Sequence, residues 1–227
     1  MKIDIWSDIM CPFCYIGKRK LEGALAEFEH KDNVTIEWHS FQLDPTIEYT
    51  PGINIHDYLA TRKGQTREWS VKVHDQMTNT AKQEGLTYNF DKAVIANSFD
   101  AHRLIQLAKT HGLGAAAEEA LFKAYFTDGK NMSDPDTLVL LGEEIGLNGP
   151  EVAAMLSGNA FAKEVQKDID QAELYGISGV PFFVLDNKYG ISGAQPKEVF
   201  KSALQQAWAE HMPETTDGAV CLPGGDC

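Results

Sequence analysis

The chain has 227 residues, 43% of them hydrophobic, with 33 acidic against 20 Lys and Arg side chains and a formal charge of −13. That length suits one large domain, or a domain with an insertion, built around a sizeable core. The charge argues against nucleic acid and anionic membrane surfaces as partners, because phosphate binding needs clustered cations. The longest basic run, Lys18-Arg19-Lys20, reads as a solvated helix face.

Residues 2–6 form a short apolar run that reads as a buried strand. A helix is expected from Pro12 to about residue 30, with Leu21, Leu25 and Phe28 at helical spacing. Residues 34–41 alternate Val34, Ile36 and Trp38 against Thr35, Glu37 and His39, the pattern of a strand buried on one face. Strand, helix, strand gives a right-handed parallel unit. No strand signal follows until about residue 175. Helices are expected at 55–62, 67–84, 94–111, 115–126, 137–145, 151–157 and 161–175, punctuated by Gly64, Gly85, Gly112, Gly146 and Asn148-Gly149-Pro150. Their own small core should include Leu104, Leu107, Leu121, Phe122, Leu138, Leu141, Leu147 and Leu156. Residues 182–185 and 189–191 then read as a hairpin around Asp186-Asn187-Lys188, and residues 196–212 as a closing amphipathic helix. A βαβ half and a ββα half make an α/β thioredoxin fold. Its parts are residues 1–44 and 176–212, with an all-helical insertion at 45–175 and a flexible tail at 213–227.

No apolar stretch approaches the roughly 18 residues of a membrane helix. Met1-Lys2 runs straight into the first strand without a leader-like segment. The expectation is a cytoplasmic protein, in a compartment that keeps thiols mostly reduced.

The chemistry lies in Ser7-Asp8-Ile9-Met10-Cys11-Pro12-Phe13-Cys14-Tyr15-Ile16-Gly17. Cys11 should stand at the mouth of the first helix, where unpaired N–H groups and the helix dipole stabilise a thiolate. Cys14, one turn inside, is the expected buried resolving thiol, close enough for a disulfide. Pro12 suits the first helical turn, where a missing N–H costs nothing. Cys11 is thus expected to be the exposed nucleophile. Half a zinc site or two idle core cysteines are the alternatives, but zinc needs a second pair nearby, and the strand-to-helix setting is the redox one. No metal site is expected. Met10 and Tyr15, flanking the pair, are expected to line an apolar docking surface, and Trp38 to be core.

Asp8 to Gly17 resembles the DsbA-like branch of the thioredoxin superfamily, in particular its FrnE-like subgroup. Asn97-Ser98-Phe99-Asp100-Ala101-His102-Arg103 resembles a helical signature of that subgroup, and Gly176 to Val184 and Tyr189 to Pro196 resemble its proline loop and closing hairpin. The resemblance runs to about Met212. It implies a thiol–disulfide oxidoreductase working through a mixed disulfide on Cys11 that Cys14 resolves. It implies a cis Val180–Pro181 bond facing the reactive cysteine, with the Val180 backbone pairing an extended substrate. It also places Asn97 and Arg103 on the active-site cleft. With Pro12, Phe13 and His102, these residues make the candidate substrate-binding set. For His39 and His102 the plainer reading is a satisfied or helix-surface histidine. Oxidising members carry a histidine between the cysteines; Phe13 can neither donate a hydrogen bond nor carry charge, so the pair should be less oxidising. The implied partners are protein or small-molecule thiols and disulfides. The redox-active disulfide stands in place of a tightly bound cofactor, with glutathione a candidate redox partner.

Two other functions fit the architecture. Glutathione-dependent isomerases and transferases share the helical insertion but carry serine where Cys11 stands and lack the second cysteine. A holdase using the apolar cleft would need neither cysteine. The tail holds Cys221 and Cys227, separated by Leu222-Pro223-Gly224-Gly225-Asp226. A disulfide there is geometrically easy. The favoured reading is a second redox pair exchanging with Cys11–Cys14, against an inert tail, a structural staple or a zinc site.

Overall fold

The computed structural model describes residues 1–211; the Cys221/Cys227 pair lies outside them. A four-stranded sheet runs in the order β2-β1-β3-β4, from β1 (Lys2–Ser7), β2 (Thr35–Ser40), β3 (Phe182–Leu185) and β4 (Tyr189–Ser192). β1 is parallel to β2, in register Ile3↔Ile36, and antiparallel to β3, in register Ile5↔Phe183. The β3–β4 turn carries Asp186 and Asn187 at φ 51° and 57°, a left-handed conformation that Asp and Asn tolerate well. Helix α1 (Pro12–Ala26) crosses from β1 to β2, and α9 (Lys197–His211) closes the fold. Between β2 and β3 come α2 (Ile55–Lys63), α3 (Arg67–Gln83), α4 (Phe99–Thr110), α5 (Gly114–Lys123), α6 (Pro135–Glu144), α7 (Gly149–Ser157) and α8 (Ala162–Leu174). The fold is thus a thioredoxin fold with a helical insertion. Among the described residues no helix is long and apolar enough to cross a membrane.

Alternation along β1 divides the sheet faces. Ile3 and Ile5 pack with Leu21, Phe183, Leu185, Phe200 and Leu204 beneath α1 and α9. Trp6 faces the other way, against Ala172, Ile177 and Val184. The largest core holds the inserted helices together with Ile9, Cys11, Cys14, Tyr15 and Ile16, so the first turns of α1 sit inside it.

Polar contacts tie the insertion to the sheet. The Asp168 carboxylate accepts from Ser40 N (2.8 Å) and from Gln106 Nε2 (2.6 Å). His39, stacked on Trp6 at 4.5 Å, bridges Asp168 (2.8 Å) and Asp4 (2.6 Å). His39 is therefore an internal tie between β2, β1 and α8. Asp4, Glu37 and His39 bring ligand-type atoms within 4.8 Å of one another. Lys2 Nζ already pairs with Asp4 at 2.8 Å and with Glu37 at 2.5 Å.

Three local expectations need correction. Helix α4 begins at Phe99, because the Asn97 side chain accepts from Phe99 N and donates to the carbonyls of Pro45 and Ile47, holding residues 94–98 out of the helix. Helix α5 changes to a π-helical turn at Ala124–Asp128. Lys18-Arg19-Lys20 is no solvated face. Lys18 is 7% exposed and donates to Glu119 at 2.6 Å; Arg19 also pairs with Glu119. Those cations hold the Glu119 carboxyl down at about 2 against the opposing effect of burial, and the cluster joins α1 to α5.

Candidate active site

Cys11 is the N-cap of α1 (φ −88°, ψ 112°), and Pro12 opens the helix. Its N–H donates to Asp8 O at 2.9 Å, and its carbonyl accepts from Cys14 N at 3.0 Å. The Cys11 thiol donates to the Val180 carbonyl at 3.4 Å. Val180–Pro181 is a cis bond. The sulfur, the Val180 backbone and the helix mouth therefore converge, although Cys11 and Val180 stand 169 positions apart. Gly17 permits this approach: a Cβ there would lie 3.0 Å from Pro181 Cγ and 3.1 Å from Phe183 Cζ. Gly17→Val should cost roughly 1–3 kcal/mol by overpacking. It should also slow alkylation of Cys11 by displacing the proline loop; an unchanged melting temperature and alkylation rate would contradict this.

Cys11 is only 3% exposed, so the expectation of an exposed nucleophile needs correction. It packs in the core formed by α1 and the inserted helices. Cys14 is 1% exposed, and burial pushes its thiol well up, with the adjacent Cys11 sulfur adding to the effect. The two thiols are both free. Phe13 remains 41% exposed at the rim. Tyr15 is buried, stacked on Phe122 at 4.9 Å and donating to Glu119 at 2.6 Å, so it cannot line a docking surface. Met10 does line a groove. With Pro12, Leu43, Ile47, Tyr58 and Met77 it walls a mostly apolar cavity of about 300 Å³ beside the cysteines.

The signature residues divide. Asn97 anchors loops through Gln42, Pro45 and Ile47. His102 is 0% exposed and Arg103 is 4% exposed, so neither reaches a substrate on the surface. Arg103 instead donates to the carbonyls of Ala160 (2.8 Å), Gly158 (2.6 Å) and Met155, at the end of α7 and the turn after it. His102 is buried with Nε2 3.5 Å from Asp8 Oδ1, in the loop before α1. Helical spacing alone could not say which face of α4 points inward.

Sequence reasoning also missed Asp8, Tyr88 and Glu118. Asp8, 2% exposed, accepts from Met10 N (3.2 Å) and Leu43 N (2.8 Å), which fixes the loop before Cys11. Tyr88 donates to Pro12 O at 2.6 Å. Glu118 is 1% exposed, and its Oε2 has no hydrogen-bond partner among the described residues. Burial, reinforced by the Asp8 charge and opposed by Lys18 and Lys109, pushes its carboxyl from 4.5 to about 8. Folding thus retains a proton that the unfolded chain releases. The resulting stability is fully present below about 4.5 and is lost as pH rises through about 8. Over that window it falls by up to roughly 1.4 kcal/mol per pH unit. Glu118→Gln should flatten the slope, giving urea midpoints at pH 9 above those of the unmodified protein. Equal pH dependence in both proteins would count against a buried neutral Glu118.

A thioredoxin sheet with a helical insertion, a Cys-x-x-Cys pair at the start of α1 and a cis-proline against the first cysteine defines a DsbA-like thiol oxidoreductase fold. The chain belongs to the DSBA-like thioredoxin domain family, which it matches over residues 2–205. It is similar to the crystal structure of a probable DsbA oxidoreductase from Streptomyces coelicolor, at 41% identity and a TM-score of 0.89 over 99% of this chain and 97% of that one. A 2-hydroxychromene-2-carboxylate isomerase is 16% identical, with a TM-score of 0.69 over 93% and 98% of the two chains. The cytosolic disulfide reductase DsbM from Pseudomonas aeruginosa is 18% identical, with a TM-score of 0.64 over 92% and 100%. At those lower identities the likeness is one of fold.

Proposed function

We propose that this protein is a thiol–disulfide oxidoreductase acting on protein or small-molecule disulfides through Cys11 and Cys14. The observation that carries the reading is the Cys11 sulfur at the N-cap of α1, 3.4 Å from the Val180 carbonyl that precedes the cis-proline. Cys11 attacks a substrate disulfide and forms a mixed disulfide; Cys14 attacks Cys11 and releases the second substrate thiol. Pro12, Phe13, Val180 and Pro181 border the reacting sulfur, and the Met10 groove takes the apolar flank of the substrate. The FrnE-like assignment, a cytoplasmic setting and exchange with Cys221 and Cys227 belong to the same proposal. Glutathione is a candidate partner, supported by the DsbM structure determined with it. The isomerase likeness keeps a glutathione-dependent isomerisation as the second reading, and the presence of both cysteines weighs against it. Cys14→Ser should accumulate a substrate–Cys11 mixed disulfide that survives denaturation and disappears with reductant. Mass spectrometry that finds no Cys11 adduct would overturn the reading.

A further inference from the structure

The groove beside the cysteines takes two of its walls from distant parts of the chain. One is the segment that leads into α1, through Met10 and Pro12; the other follows β2, through Leu43 and Ile47. A single carboxylate holds both. Asp8 Oδ1 accepts from Met10 N at 3.2 Å, and Asp8 Oδ2 accepts from Leu43 N at 2.8 Å. Asp8 is buried and borders the cavity itself. Its backbone carbonyl accepts from Cys11 N at 2.9 Å. The main chain of Asp8 therefore fixes the backbone of Cys11, while its side chain fixes the spacing of the two walls. Both partners of that side chain are N–H donors. A carboxylate meets them with two accepting oxygens, whereas an amide in its place has one accepting oxygen and would turn its NH₂ toward a second donor.

The remainder of the second wall has other anchors. Asn97 donates to the carbonyls of Pro45 and Ile47, at 3.0 Å each. The Asp44 carboxylate accepts from the Tyr58 hydroxyl at 3.1 Å and pairs with Arg62 at 2.6 Å, both on α2. Leu43 is the end of this wall that Asp8 holds, and its side chain is 49% exposed at the lip. The cavity of about 300 Å³ lies at the small end of ligand sites. Its apolar lining suits one bulky apolar side chain rather than a folded surface.

We propose that Asp8 is the positioning residue that sets substrate specificity. By spanning Met10 N and Leu43 N, it holds the groove at the width of one bulky apolar side chain next to Cys11. This rests on the thiol–disulfide reading above and names its substrate class: disulfides in which a large apolar residue flanks the cysteine. The walls that Asp8 spaces make the contacts with that residue. Without the bond to Asp8, the Leu43 end of the wall swings away while the anchored part stays, and the selected side chain loses one side of its site.

The test is single turnover of the reduced full-length protein with two symmetric disulfides, of N-acetyl-Cys-Phe-amide and of N-acetyl-Cys-Ser-amide. Released peptide thiol is followed by chromatography at increasing disulfide concentration. The unmodified protein should prefer the Phe peptide by roughly 10-fold or more in rate over half-saturating concentration, within the range for apolar pockets. Asp8→Asn should bring that preference within about threefold, through a higher half-saturating concentration for the Phe peptide rather than a lower rate at saturation. Asp8→Glu keeps the charge but moves the carboxylate by one methylene; it should lose the preference likewise, and it serves if the Asn variant does not fold. Leu43→Ala, at an exposed position, should also lower the preference. Asp8→Asn made on Leu43→Ala should then add less than half of its effect alone, because both changes act on one lip. A preference kept in the Asp8 variants, or lost through equal slowing of both peptides, would overturn the proposal, as would an unmodified protein that takes the two peptides equally. Release from neither peptide, with no Cys11 adduct in the unmodified protein, would sink the thiol–disulfide reading itself.

Discussion

Cys11→Ser should lower disulfide-reduction turnover by roughly 10³-fold or more, since a serine hydroxyl at the helix mouth is not ionised near neutral pH and its oxygen cannot form the mixed disulfide with a substrate sulfur. The surroundings predict little structural cost. Serine is nearly isosteric, is a favoured N-cap residue, and can still donate to the Val180 carbonyl that now accepts from the thiol. The melting temperature should therefore stay within a few degrees while turnover of insulin or glutathione disulfide collapses. The same variant separates the two enzymatic readings. Retained glutathione-dependent isomerisation in Cys11→Ser, with disulfide reduction lost, would move the assignment to the isomerase.

The second large effect is one of stability. Arg103→Met should destabilise the protein by about 3–5 kcal/mol, through buried carbonyls left without donors. The guanidinium serves Met155, Gly158 and Ala160 and pairs with Asp100 at 2.8 Å. It satisfies carbonyls at the C-terminal end of α7 and in the turn that leads to α8. Methionine fills the volume and supplies no donor. In a chain of this size the melting temperature should drop by about 10 °C. Arg103→Lys should recover less than half of the loss, because one ammonium cannot match a planar fork. Below its melting temperature the Met variant should alkylate at Cys11 at the normal rate. A raised KM with an unchanged melting temperature would instead restore Arg103 to the substrate-binding set.

The architecture and the central chemistry were legible because their signals are local. Period-two alternation marks β2, and the three-residue step from Cys11 to Cys14 at a strand-to-helix boundary predicts thiols one turn apart. Proline and glycine punctuation located most of the helices between β2 and β3. The errors lie where a distant side chain decides. Asn97 keeps residues 94–98 out of the helix by donating to carbonyls 50 and 52 positions away. Lys18 turns from an apparent surface charge into a buried one because Glu119 reaches it across 101 positions. Arg103 and His102 carry the same kind of signal in the chain, and only the packing of α4 against its neighbours sends one to the carbonyls at the end of α7 and in the turn after it, and buries the other beside Asp8. The burial of Cys11, the neutral Glu118 and the meeting of Cys11 with Val180 also belong to tertiary structure. Backbone propensity and side-chain periodicity act over a few residues. Burial, ionisation and hydrogen-bond partnership are set by atoms that only the folded chain brings together.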